Sequence, residues 1–377
     1  MYNDGTPSSV SAPRETRVYE KGTFIMAKKN GAIVGYGGMG SWHASFMKNS
    51  DVVNLVGIYD IKPSRCEAAE ANGIHAYASL EELLADPKID FITIATPNDF
   101  HKPIALQAFA AGKHVISEKP VTLSSADLQE MIDAANAAGK LFTVHQNRRW
   151  DGEFLVMRDV YRSGDLGPVH HIESRVHGSR GIPGDWRQLP EQGGGMVFDW
   201  GIHLIDQMMG IVNDRKLKRI WCTCDHITNE LVDDGFKLEM YFEDDLTAHI
   251  EVGTSNFIGL TRFYMTGRDG SAIIPDWSNP CKVVWCHNYN EKEVVPVVTA
   301  AGITKTMAPR NESSISSKEI PQPAADVHDY YRNWVRAIDG EETQIVTHHQ
   351  MMVDMKIMEA AFESDRTHMP VEVDLQF

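Results

Sequence analysis

A tight glycine turn limits what this chain can fold into more than any other feature. The short apolar run Ala32-Ile33-Val34 is followed by Gly35-Tyr36-Gly37-Gly38-Met39-Gly40 and then by a helix-like segment ending near Lys48. Glycines at 35, 37 and 40 suit a strand-to-helix turn, approach of a pyrophosphate to bare backbone, and close helix–sheet packing. A helix starting there offers phosphate its unpaired N–H groups and the positive end of its dipole. Glycine-rich turns occur in many folds, so a second signal matters. Asp60 closes the next apolar run, Leu55-Val56-Gly57-Ile58-Tyr59, about 20 residues on, where an acid binds the ribose hydroxyls. Together they predict a nicotinamide dinucleotide as ligand.

β-rich runs at 31–35, 53–59, 91–95, 113–117 and 141–145 alternate with helical patterns near 39–48, 63–72, 79–85, 102–111 and 125–138. Such alternation predicts an α/β fold: right-handed βαβ units in a doubly wound parallel sheet, here a Rossmann domain over 30–150. Pro103 suits a first helical turn and Gly112 a helix stop. Ser124 with Asp127 resembles a capping box, and Leu128, Met131, Ile132 and Ala135 form one apolar face ending at Gly139.

After about 150 the pattern changes. Residues 171–176 and parts of 236–243, 246–253 and 261–266 alternate as half-covered antiparallel strands do. Helices are expected at about 196–209, 324–338 and 348–364, the last with Met351, Met352, Met355 and Met358 as core filling. Residues 276–320 read as loops, and 151–377 as an α+β domain for substrate binding and oligomerisation. Residues 1–29 read as an N-terminal extension, a disordered tail or an arm that wraps a neighbouring subunit.

At 377 residues, with 42% hydrophobic and 23% charged, the chain suits two globular domains. A formal charge of −16 argues against nucleic acid or an anionic membrane surface as partner. The spacings of Cys66, Cys222, Cys224, Cys281 and Cys286 fit no zinc pattern, so free thiols and a reducing cytoplasm are expected.

Glu118-Lys119-Pro120 ends the fourth run, at the sheet edge where open α/β sheets bind ligands. A lysine there can hold a substrate hydroxyl and favour the alkoxide that develops during hydride loss. Thr96-Pro97-Asn98-Asp99-Phe100-His101 ends the third run at the same edge. Asn98 and His101 are candidates for the nicotinamide ribose or substrate, with turn formation and a place in the first helical turn as equal alternatives. Asp199 and His203 follow Gly193-Gly194-Gly195 and lie four apart, so on a helix they share a face. A carboxylate there can orient an imidazole acting as general base. No third ligand accompanies the pair, so no metal is assigned. Trp186-Arg187 fits a clamp on cofactor or substrate, and equally a structural tryptophan beside a salt-bridged arginine. Gln146-Asn147-Arg148-Arg149-Trp150 follows the fifth run and either lines the cleft or links the domains.

The chain resembles the Gfo/Idh/MocA family, that of glucose–fructose oxidoreductase and inositol dehydrogenase. The likeness lies in Gly35 to Gly40 with His43, Ala95-Thr96-Pro97-Asn98 with His101, Ala111-Gly112-Lys113-His114-Val115, Glu118-Lys119-Pro120, and Gly193 to Gly195 with Asp199 and His203. It covers roughly residues 30–275. The family implies a Rossmann domain followed by a large open, mostly antiparallel sheet whose outer face builds homo-oligomers. It also implies Lys119 and His203 as catalytic residues, Asp199 as binding substrate or assisting His203, and a cis bond before Pro120. Residues after Arg149 depart from the common pattern, so the substrate side differs.

Cofactor contacts are expected from Gly35, Tyr36, Gly37, Gly38, Met39, Gly40, Asp60 and Ile61, from Thr96, Pro97, Asn98 and His101, and from Glu118, Lys119, Gln146, Trp186 and Arg187. Substrate contacts are expected from Lys119, Asn147, Arg149, Asp199 and His203. A 2′-phosphate would face the Asp60 carboxylate, so NAD is preferred over NADP, although Lys62 or Arg65 could soften that preference. The expectation is an NAD(H)-dependent oxidoreductase that converts a secondary hydroxyl of a sugar, cyclitol or glycoside to a ketone. An enzyme that retains and recycles its NAD, and a non-catalytic dinucleotide sensor, are the alternatives.

Overall fold

A computed structural model describes residues 28–290 and 294–377; the expected N-terminal extension falls almost wholly outside them. The first part alternates as the sequence predicts: β1 (Lys29–Val34), α1 (Gly38–Lys48), β2 (Val53–Tyr59), α2 (Pro63–Ala71), α3 (Leu80–Ala85), β3 (Phe91–Ile94), α4 (His101–Ala110), β4 (His114–Ser117), α5 (Ser125–Ala138) and β5 (Phe142–Val144). These strands form a parallel sheet in the order β2-β1-β3-β4-β5. Local chemistry sets the boundaries. The Ser124 side chain accepts the Asp127 N–H to start α5, and Gly139 ends it in the left-handed region at φ 62°.

The second part adds α6 (Gly152–Ser163), β6 (Val169–His177), α7 (Ile202–Ile211), β7 (Leu217–Asp225), β8 (Gly235–Phe242), β9 (Thr247–Gly253), β10 (Phe263–Gly267), β11 (Gly270–Ile274), β12 (Cys281–Cys286), β13 (Val297–Thr299), β14 (Gly302–Thr304), β15 (Ile315–Ile320), α8 (His328–Ile338), α9 (His348–Thr367) and β16 (Val371–Leu375). Nine strands form one sheet, ordered β15-β12-β11-β10-β6-β9-β8-β7-β16, antiparallel except where β6 meets β9. Its buried residues alternate along β8 and β9, where Phe236, Leu238, Met240, Ala248, Ile250 and Val252 face the helices.

Two expectations are corrected. Residues 276–320 are not all loop, because β12 and β15 pair to form one edge of the large sheet and β13 with β14 makes a small hairpin. The helix expected from about 196 begins as a π-helical turn, Val197–Gly201, before α7. Met351, Met355 and Met358 are buried as core filling on α9, with Met352 partly covered.

Helix α8 follows the large sheet in sequence but packs on the first one. Trp334 is buried edge-on to Phe91 of β3 at a ring separation of 6.2 Å, and Arg332 pairs with Asp51. Trp334→Ala should therefore remove about 3–5 kcal/mol of stability, measurable by denaturant unfolding.

Candidate active site

The glycine turn joins β1 to α1 and its glycines do different work. At Gly40 a Cβ would lie 1.9 Å from the Gly35 carbonyl oxygen, and at Gly35, with φ 94°, 2.7 Å from that of Ala95. Those two positions permit close packing. At Gly37 and Gly38 a Cβ would meet nothing within 4 Å, so bare backbone faces open space. No side chain caps α1. Asp60 stands beside the turn, one carboxylate oxygen accepting the Tyr36 N–H at 2.7 Å and the other that of Lys62 at 2.8 Å. Met39 and Ile61 are exposed at this mouth. Buried and unpartnered, Thr96 Oγ1 and Gln146 Oε1 sit just past the ends of β3 and β5, on either side of β4. An open, uncapped backbone cradle with an acid at its edge and spare polar atoms along it fits a dinucleotide.

Lys119 leaves the end of β4, after which its bond to Pro120 is cis. Its Nζ donates to the Asp199 carbonyl at 2.8 Å and to Asp199 Oδ1 at 2.9 Å. Asp199 lies in the π-helical turn, and its other oxygen accepts from Arg187 Nε at 2.8 Å. Burial opposes ionisation of Asp199, but Lys119 and Arg187 hold its carboxyl below the usual range. His203 sits on the first turn of α7, almost fully buried. Its Nδ1 is enclosed and has no hydrogen-bond partner. Burial, and then the positive charges of Lys119 and Arg148, push this imidazole well below its usual value, so it is neutral near pH 7. Lysine, aspartate and histidine thus converge, but the expected Asp199–His203 pairing is corrected: Asp199 bonds the two cations instead.

Other expected site residues are placed differently. His101 is fully buried in the first turn of α4, its ring nitrogens 3.1 Å from the Pro120 carbonyl and 3.0 Å from that of Thr96, which makes it a brace between strand ends. The Glu118 carboxylate turns inward to His43 and His145, at 2.7 and 2.9 Å. Arg149 is spent on Asp206, the Ile345 carbonyl and Gln350, so its guanidinium links elements instead of awaiting substrate. Asn98 donates to the carbonyls of Gln192 and Gly193, tying the third strand's end to the triple-glycine loop. Gln146 Nε2 faces Asp354 at 3.5 Å. Asn147 is half-buried and lines a hollow of about 350 Å³ with Trp42, Trp150 and Asp151. Arg187 stacks over Trp186 at 4.5 Å while bonding Asp199, the arrangement of a tryptophan beside a salt-bridged arginine.

The triple glycine makes room for the protein's own groups. A Cβ on Gly193 would meet Leu123 at 2.3 Å, one on Gly194 the Arg187 carbonyl oxygen at 2.4 Å, and one on Gly195 the Asp233 carboxylate at 2.1 Å. Sequence reasoning missed Asp233, whose Oδ2 accepts the N–H groups of Met196 and Val197 at 2.8 Å each, capping the turn that carries Asp199. Arg148, expected only as part of the segment that lines the cleft or links the domains, stacks on Trp200 at 4.2 Å and acts on His203. Among the described residues, His43, Glu118 and His145 are the single group of three potential metal ligands within 4.8 Å, and hydrogen bonds account for their geometry.

A parallel dinucleotide-type sheet joined to an open mixed sheet, with these three side chains meeting between them, defines a two-domain NAD(P)-binding oxidoreductase. Residues 29–146 match the oxidoreductase family with an NAD-binding Rossmann fold, and residues 154–273 match its C-terminal domain. The chain belongs to the Gfo/Idh/MocA family. The crystal structure of an NAD-binding protein from Listeria innocua is 42% identical with a TM-score of 0.89, covering 92% of this chain and all (100%) of that one. A 1,5-anhydro-D-fructose reductase of Ensifer adhaerens is 31% identical over 211 residues, 54% of this chain and 63% of that protein. The D-glucoside 3-dehydrogenase of Escherichia coli is 30% identical over 195 residues, 50% of this chain and 55% of that protein. Matches span 37% to 63% of such curated relatives' lengths. No helix among the described residues is long and apolar enough to cross a membrane.

Burial raises the Asp233 carboxyl to about 6 even though two backbone N–H groups favour its anion. With a folded value above the unfolded one near 3.8, the stability it contributes is complete below that pH and is lost as pH rises through about 6. Asn at this position can still accept both N–H groups through its Oδ1. Asp233→Asn should therefore flatten the fall in stability between about pH 4 and 6, as measured by urea unfolding across that range.

Proposed function

We propose that this protein is an NAD-dependent dehydrogenase for a secondary hydroxyl of a sugar, cyclitol or glycoside. The observation that carries this is a strand-end ammonium, held by Asp199 and acting on a neutral buried imidazole, on the same edge of the parallel sheet as the open glycine turn. When bound, the nicotinamide dinucleotide supplies the hydride acceptor. Lys119 binds the substrate oxygen and, with Arg187 behind Asp199, favours negative charge on it. His203 takes the hydroxyl proton, a role that needs an imidazole unprotonated at working pH. Asp199 fixes the ammonium by gripping it with both carbonyl and carboxylate. Relatives that act on 1,5-anhydro-D-fructose and on D-glucosides support a polyhydroxylated substrate.

Lys119→Ala and His203→Gln should each lower turnover by ~10²–10⁴-fold. Dinucleotide affinity should stay near that of the parent protein, as read by fluorescence titration. The assay is absorbance of the reduced cofactor with a panel of sugars, cyclitols and glycosides, and unchanged turnover in both variants would overturn the assignment.

NAD is preferred because the Asp60 carboxylate stands beside the turn, where a 2′-phosphate would meet like charge. Asp60→Ala should narrow the NAD-over-NADP preference by at least tenfold, on the order of 1.4 kcal/mol, in kcat/KM measured with each cofactor. An unaltered ratio would remove Asp60 from this role.

A further inference from the structure

Trp277 is a large apolar side chain left 43% exposed, in the loop between β11 and β12, and the proposed reaction does not use it. Its backbone is nonetheless tied at three places. The Pro275 carbonyl accepts the Arg262 N–H at 3.0 Å, and Asp276 Oδ1 accepts the Ser278 N–H and hydroxyl at 2.9 and 2.8 Å. Gln322 Nε2 donates to the carbonyls of Trp277 and Asn279, at 3.0 Å each. A ring on a pinned backbone has little freedom left to lose when another group stacks on it.

The ring belongs to an aromatic and cationic group that reaches His203. Trp200, next in sequence to Asp199, has its ring 6.0 Å from that of His203. The Trp277 ring is 6.0 Å from that of Trp200, tilted by 52°. Laid end to end, the two separations put Trp277 at most about 12 Å from the imidazole. Arg148 lies over Trp200 at 4.2 Å and 5.6 Å from the Trp277 ring centre. Arg262 stands 4.7 Å from the Trp277 ring and is itself buried, which makes that side of the indole the inner one. The outer side meets solvent.

We propose that Trp277, with Trp200 beside it, is the wall on which the outer unit of a glycoside stacks while the inner ring reacts at Lys119 and His203. The inference rests on the dehydrogenase reading above and narrows its substrate class from free hexoses and cyclitols to glycosides. The outer unit is a ring with an apolar face, supplied either by the C–H side of a second sugar or by an aryl group.

Distance and chemistry both favour an outer unit over the reacting ring. A hydroxyl within hydrogen-bond reach of His203 sets its own ring near Trp200, so the indole one step further out meets whatever that ring carries. Aromatic faces take flat or C–H-lined surfaces, and a tryptophan supplies the largest such face of any side chain. Binding energy gained away from the reacting carbon is available to orient that carbon, so it shows in kcat as well as in KM. Trp277 touches no reacting atom; its part is recognition.

The test compares the best hexose of the panel with its methyl and phenyl glycosides and its disaccharides. The parent protein should show a higher kcat/KM for a phenyl glycoside or a disaccharide than for the free hexose; parity, or preference for the free hexose, overturns the proposal. Trp277→Ala should lower kcat/KM on the preferred glycoside by roughly tenfold or more beyond its effect on the free hexose, and Trp277→Phe should restore most of the loss. An equal loss on both, or none, overturns it. Loss confined to the phenyl glycoside assigns the outer unit as aryl, and loss confined to disaccharides assigns it as a sugar. A changed oligomeric state of Trp277→Ala in light scattering, with the kinetic ratio intact, makes the ring a contact between copies of this chain and also overturns the proposal. If no polyol in the panel is oxidised, the dehydrogenase reading fails and calorimetry decides the present one. Glycosides should then bind the NAD-loaded protein more tightly than the free hexose does, and Trp277→Ala should remove the difference; equal affinities in the parent protein overturn it.

Discussion

The bridge from Lys119 to Asp199 is the interaction on which the site depends, because its two ends belong to different sheets. Lys119 is fixed by β4 of the parallel sheet and Asp199 by the turn before α7, which packs on the large sheet. Neither charge has much water around it, so each would be costly without the other. Arg187 adds a second cation to the same carboxylate. Two positive groups on one acid leave local positive charge in excess, which suits an oxygen that becomes negative during reaction.

Histidines in this protein show how one residue type acquires separate chemistry from its surroundings. His101 faces backbone carbonyls and serves as a structural tie. His43 and His145 share a carboxylate and so have fixed tautomers. His203 faces cations and has a ring nitrogen without a partner. Burial is common to all four, so the partner, more than depth, decides the role.

The parallel sheet was legible in the sequence because every strand is a short apolar run and every helix has its own punctuation, as at Ser124 and Gly139. The edge of the large sheet was not. β15 reads Ile-Ser-Ser-Lys-Glu-Ile, polar through its middle and mostly uncovered, so it lacks the alternation that marks a half-buried strand. At the site, Lys119, Asp199 and His203 stood out through their positions after glycines and at a strand end. Their connections did not, because helical spacing says which residues share a face and nothing about a competing cation from another element. Arg149 and Glu118 were equally opaque, since their partners Asp206 and His43 lie far along the chain. Tyr331, whose hydroxyl meets His43 from 288 residues along the chain, leaves no local trace at all.

Helix α8 has an implication for how the chain is made. Its Trp334 covers Phe91 and His114 on the parallel sheet, yet some 190 residues of the second sheet and its helices are translated between β5 and that tryptophan. At ribosomal rates this leaves the first sheet incompletely covered for roughly ten seconds or more after its last strand emerges. The dinucleotide-type half therefore cannot reach its final form as an independent early product. Its completion is tied to nearly full-length synthesis, and the apolar surface awaiting α8 is where a nascent-chain binder would find its longest opportunity.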